Sequence, residues 1–117
     1  MQFMLMTYVD ETGFTKLTPA EQEAGIAAYR AYTEAIMAAG VASSWGRLQP
    51  SAAATTVREA DGKPQVLDGP YADSKEQLGG YYIIDVPDLD AALAWAARCP
   101  TTSHGVVEVR PFWTEPS

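Results

Sequence analysis

Residues 2–9 place Phe3, Leu5 and Thr7 on one side of an extended chain and Met4, Met6 and Tyr8 on the other. Both sets are mainly apolar, which predicts a strand buried on both faces. The period then changes. Across "LTPAEQEAGIAAYRAYTEAIMAAG", Ile26, Tyr29, Thr33, Ile36 and Met37 recur at helical spacing. Thr18 suits the N-cap, Pro19 the first helical position, and Glu21 completes a capping box, while Gly40 falls where a helix-terminating glycine belongs. "VASSWGRL" (41–48) predicts a second strand, ended by Pro50. Thr55, Thr56 and Val57, an Asp61-Gly62 turn, and Val66 and Leu67 predict a hairpin. Residues 80–86 predict another strand with two apolar faces, and Pro87 stops it. Asp88 is a good N-cap for a second helix lined by Leu89, Ala92, Leu93 and Ala96. Residues 105–112, "GVVEVRPF", predict the last strand.

The predicted order is β-α-β-(ββ)-β-α-β in one domain, residues 1–117, with no repeat or linker interrupting it. Two helices that each follow a strand and return to the same sheet predict an α+β, ferredoxin-like split βαβ fold. Its antiparallel sheet carries both helices on one face, and the hairpin is an addition to it. Two strands are apolar on both faces, yet the helices can cover only one. The uncovered face predicts a homodimer in which a second copy supplies the cover, the dimeric α+β barrel arrangement.

Charge narrows the choice of partners. Eight Lys and Arg are scattered among fifteen Asp and Glu, for a formal net charge of −7. Nucleic acid and an anionic membrane surface are therefore not expected partners. The segment "MQFMLMTYV" lacks a basic region or a signal-like apolar core, and no apolar run reaches membrane-span length. With Cys99 as the only cysteine, a cytoplasmic location is expected.

Candidate chemistry is sparse, and each candidate has a structural alternative. Asp68-Gly69-Pro70 reads as a chain reversal, or as a turn that presents the Asp68 carboxylate as general base. Asp73 to Glu76 has the spacing of a short capped helical turn, with Glu76 the ligand-binding candidate of that segment. Gly79-Gly80 marks a bulge or a close backbone approach to a ligand. His104, the only histidine, is either a solvated loop residue or an acid/base catalyst. Glu108 and Arg110 share a strand face, either as an ion pair or with Arg110 anchoring an anionic substrate. Trp45 and Arg47 share a face near Tyr82, either as core packing or as an aromatic-lined pocket for a small-molecule ligand. No phosphate loop and no metal-ligand cluster is present, so neither a metal nor another cofactor is expected.

The run "TVREADGKPQVLDGPYADSKEQLGGYYIIDVPDLDAALAWAARCP", followed by "GVVEVRP", resembles the YCII-related proteins of the DGPF subgroup. Tyr71 stands where that subgroup's name-giving motif has Phe, and "GRLQPSAAATTVR" extends the likeness. The resemblance implies the same dimeric α+β barrel fold, whose relatives include lactone isomerases and cofactor-light monooxygenases. The founding YCII-type proteins pair a His on the first helix with an Asp. Here Glu21 lies near that helix start and no histidine is on the helix, so the dyad does not carry over. Two functions follow as expectations. One is a small-molecule enzyme performing isomerase- or lyase-like acid/base chemistry, with Asp68 or His104 as catalyst and Arg47 or Arg110 holding an anion. The other is a non-catalytic dimeric ligand- or protein-binding module, in keeping with family members found fused to or beside sigma factors.

Overall fold

A computed structural model describes residues 1–114. Six strands and two helices run in the order β1 (Gln2–Val9), α1 (Pro19–Ala38), β2 (Ala42–Arg47), β3 (Thr55–Ala60), β4 (Lys63–Asp68), β5 (Gln77–Asp85), α2 (Leu89–Arg98) and β6 (Val106–Pro111). Four strands form an antiparallel sheet in the order β2-β5-β1-β6, and β3 and β4 form a sheet of their own. This is the split-βαβ, α+β arrangement the patterning predicts, with the hairpin added between β2 and β5.

Period-2 alternation divides the large sheet. Leu5 faces Tyr82 and Val109 across the ladder, and Phe3 faces Ile84. This side forms the core with Tyr32 and Ile36 of α1 and with Ala92, Ala96 and Cys99 near α2. The other side carries Met4, Met6, Tyr8, Tyr81, Ile83 and Val106, and both helices pack on the face away from it. Val106 is exposed, and Met4, Tyr8, Tyr81 and Ile83 are half-buried.

Local chemistry fixes the element ends. The Thr18 hydroxyl accepts from the Glu21 amide, and the Glu21 carboxylate accepts from the Thr18 amide, closing the capping box. Hydrogen bonding of the Glu21 carboxylate to the Thr18 amide, and to a lesser extent to the Thr18 side chain, holds that carboxyl below its ordinary pKa. Asp88 caps α2 by accepting from the Ala91 amide. The β5 ladder slips between Thr7 and Tyr8, leaving Gly79 as the extra residue of a bulge. A side chain at Gly80 would lie 2.8 Å from the Gly46 carbonyl oxygen, so the close approach at this glycine is to the neighbouring strand β2.

Three details correct the sequence pattern. On α2 the buried line is Ala92, Ala96 and, just beyond, Cys99, while Leu89 and Leu93 are exposed. Small residues let that helix lie close to the sheet, and Trp95 closes its flank edge-on against Tyr32. On α1, Tyr32 and Ile36 are buried, and Ile26 and Met37 point outward. The predicted helical turn at Asp73 does not form. The Gln77 side-chain amide instead donates to the Ala72 and Ser74 carbonyls and shapes an irregular loop.

Candidate functional site

Tyr29, Tyr32 and Thr33, just past the middle of α1, bring polar groups to the helix–sheet core. Tyr29, on α1, sends its hydroxyl toward the short turn at 100–103 that follows α2. There it lies 2.6 Å from Thr101 Oγ1 and 3.3 Å from His104 Nε2. Ser103 Oγ holds the other ring nitrogen, His104 Nδ1, at 3.0 Å. One turn along α1, Thr33 Oγ1 lies 3.1 Å from the Tyr82 hydroxyl. Tyr82 also meets Tyr32 edge-on, ring centroids 5.2 Å apart, and Tyr32 donates to the Trp95 carbonyl.

Several backbone features put these side chains together. Gly105 follows His104 directly, and its amide donates to the Thr101 carbonyl at 2.7 Å. A side chain there would run into the Tyr8 carbonyl, at 2.2 Å, so the turn presses directly on β1. Thr101 is fully buried, which fixes the partner that Tyr29 reaches. On the sheet, Trp45 pairs with Tyr82 and Arg47 with Gly80, so Trp45 and Arg47 lie on the helix-covered face beside Tyr82.

Burial raises the pKa of Tyr29, Tyr32 and Tyr82. At Tyr29 the Thr101 hydrogen bond and the Arg47 charge pull the other way and lose. Tyr29 is therefore a phenol at neutral pH, able to donate a proton and unable to persist as an anion. His104 is exposed and connects that phenol to solvent. The group offers a donor, an exchangeable imidazole, a guanidinium and two aromatic walls, which is the equipment for proton transfer on a small anionic or polar molecule.

The sequence candidates divide by location. Trp45, Arg47, Tyr82 and His104 lie on the helix side of the sheet. Arg110 lies on the opposite face, where it pairs with Glu108. Asp68 is exposed at the end of β4, opposite Thr55 in the hairpin. Glu76 is half-buried in the loop before β5. Tyr29, Thr33 and Thr101 escape sequence reasoning, because Tyr29 meets its partners 72 and 75 positions away. The one available signal was polarity, a Thr and two Tyr on the inward stripe of α1 where aliphatic residues would serve packing better.

A concavity of about 540 Å³, lined by none of these clustered residues, opens at the root of the hairpin. Leu48, Pro50, Ala54, Pro70, Tyr71 and Leu78 are among its lining residues, none of which is charged. Among the described residues no three His, Cys, Asp or Glu side chains converge on a metal-sized point. No helix there is long and apolar enough to cross a membrane.

Fold and site together define a ferredoxin-like α+β domain with a polar cluster between helices and sheet. The chain belongs to the YCII-related domain family, whose match spans residues 1–115. An uncharacterised protein from Rhizobium meliloti is 36% identical over 114 residues, 96% of this chain and 92% of that protein. Among solved structures, 5-chloro-2-hydroxyhydroquinone dehydrochlorinase from Burkholderia phenoliruptrix, in complex with 2,5-dihydroxybenzoquinone, aligns with a TM-score of 0.57. That alignment covers 98% of this chain and 96% of the enzyme at 16% identity, a likeness of fold.

Proposed function

We propose that this protein is a small-molecule enzyme performing acid/base chemistry, isomerase- or lyase-like, on a compact polar organic substrate. The observation that carries the reading is the Tyr29 hydroxyl, held between buried Thr101 and exposed His104. In this mechanism Tyr29 donates its proton to an oxygen of the substrate, His104 accepts the proton that the substrate loses, and the Tyr29–His104 contact returns a proton to the Tyr29 oxygen. Ser103 supports the exchange, since its hydroxyl can donate to or accept from Nδ1 as the imidazole changes tautomer. Arg47 provides a positive charge for an enolate- or phenolate-like oxygen, and Trp45 and Tyr82 bracket a flat ring. The dehydrochlorinase likeness adds a substrate class to try, hydroxylated cyclic compounds that lose a proton as they react. Asp68 remains the alternative base and Arg110 the alternative anion holder, from the hairpin and from the far sheet face.

The active form in this reading is a homodimer built on the open sheet face, a cytoplasmic protein with one buried thiol at Cys99. A non-catalytic binding module is the second reading. It is favoured by large side chains left outside any core, Tyr71 and Trp113 above all.

The test is turnover of a panel of hydroxylated quinols and enolisable cyclic ketones, scored by solvent deuterium incorporation or loss of substrate absorbance. Tyr29→Phe and His104→Gln should each fold normally and lower turnover about 10²-fold or more. A panel that wild type turns over and both variants process at the wild-type rate would remove Tyr29 and His104 from the chemistry. Tight binding with no turnover would favour the binding module.

A further inference from the structure

The hairpin β3–β4 is folded but unsupported. It forms its own two-stranded sheet, and no element among the described residues covers either face. A lone two-stranded hairpin is marginally stable in water and needs a third strand or a packed surface. The register sets Val57 opposite Val66, with Thr55, Glu59, Pro64 and Asp68 on the same face. The two valines are 62% and 61% exposed. The other face carries Arg58, Gln65 and Lys63, with Leu67 opposite Thr56 near the hairpin root. Two β-branched side chains directly opposite each other form a good packing pair with nothing to pack on.

We propose that the hairpin is an arm that grips a second copy of this chain, laying its Val57–Val66 face on the partner at the rim of the sheet-to-sheet contact. The inference rests on the homodimer reading above and adds a second contact surface to it. Area is the reason to choose a second copy. At about 4.8 Å between strands and 3.3 Å per residue, the open four-stranded face offers only some 450 Å² per copy. Two such faces bury roughly 900 Å², below the usual size of a stable interface of about 1,600 Å². Each arm adds a footprint of roughly 200 Å² on itself and on its partner, which lifts the total into that class.

The experiment is sedimentation equilibrium of wild type and of the double variant Val57→Thr, Val66→Thr. Thr keeps the β-branched shape that favours a strand and removes the apolar contact. The dimer dissociation constant should rise by about tenfold or more. A dimeric wild type whose dissociation constant is unchanged in the variant would overturn the arm and leave the sheet-face dimer standing. A monomeric wild type would overturn both. Hydrogen exchange of unmutated protein gives an independent readout. The β3–β4 amides should be protected above the dissociation constant and exchange freely below it. Equal protection at both concentrations would count against the arm, and any loss of the variant's fold cannot affect that result.

Discussion

The four-stranded sheet and the β3–β4 hairpin are written in the same sequence code and end in opposite environments. In β1, alternation delivers Phe3 and Leu5 into a core that helices close, and both are essentially inaccessible to solvent. In the hairpin, an equally regular alternation delivers Val57 and Val66 into water. Strand patterning therefore reports that a face is suited to burial, without reporting what covers it. In the first case the cover comes from α1 and α2. In the second, no element among the described residues supplies one.

Glycine substitutions put the sharpest edge on this contrast. Gly105 is a contact glycine, because a methyl group there would sit 2.2 Å from the Tyr8 carbonyl oxygen. Gly62 is a conformational glycine, with φ of +75° and nothing within 4 Å of its missing side chain. Gly105→Ala should cost about 3 kcal/mol or more and displace the turn that carries Thr101 and His104. Gly62→Ala should cost about 1 kcal/mol, the strain of an L-residue in left-handed geometry, felt only at the hairpin tip. Denaturant melts of the two variants measure this directly. Similar costs would mean that the hairpin is as tightly integrated as the core.

Alkaline pH offers a gentler way to load one region and spare the other. Tyr29, Tyr32 and Tyr82 all have pKa values raised by burial, whereas β3 and β4 contain no tyrosine. Between the unfolded tyrosine pKa of about 10 and the higher folded values, the folded chain holds more protons than the unfolded one. Stability is then unaffected by these groups below about pH 10 and falls as pH rises beyond it. Melting temperatures recorded from neutral to strongly alkaline pH should decline in that window, and Tyr29→Phe should reduce the decline. A flat profile would mean that the three phenols ionise as freely in the folded protein as in the unfolded chain.

What could be read from sequence was whatever is encoded within one element. The capping box needs only Thr18 and Glu21, the hairpin turn only Asp61 and Gly62, and the bulge only the Gly79-Gly80 pair. The strand order followed because two helices returning to one sheet leave few topologies. What could not be read depends on rotation and distance. Leu89 and Leu93 fit a helical stripe as well as Ala92 and Ala96 do, and the tight seat under α2 decided for the smaller residues. The Tyr29–His104 contact joins a helix to a turn on the far side of the chain, and neither segment carries a local sign of the other. Nominated from sequence, His104 acquired a partner; Arg110 acquired Glu108 on the opposite face of the sheet.

The smallest expected effect falls at the junction of the two regions. Asp68 ends β4 and introduces Gly69-Pro70, and two accounts of it compete, a turn residue or a base. The turn is built without its carboxylate. Gly69 takes a φ of +102°, its amide donates to the Ala54 carbonyl at 2.7 Å, and its carbonyl accepts from Thr56 Oγ1 at 2.7 Å. Gly69 thus supplies both the conformation and the hydrogen bonds that fasten the hairpin root, while Asp68 stays exposed. Asp68→Asn keeps the size and an acceptor and removes the charge. Stability should change by less than about 0.5 kcal/mol, as for other exposed positions. Turnover of any substrate found for the Tyr29–His104 site should likewise hold near the wild-type value. A drop of about 10²-fold with an unchanged melt would instead make Asp68 the base and move the chemistry to the hairpin root. In that event the uncharged concavity beside Tyr71 would become the substrate site, and the β3–β4 hairpin would be part of the catalytic machinery. Because the turn's bonds run through Gly69, we expect Asp68→Asn to be nearly silent.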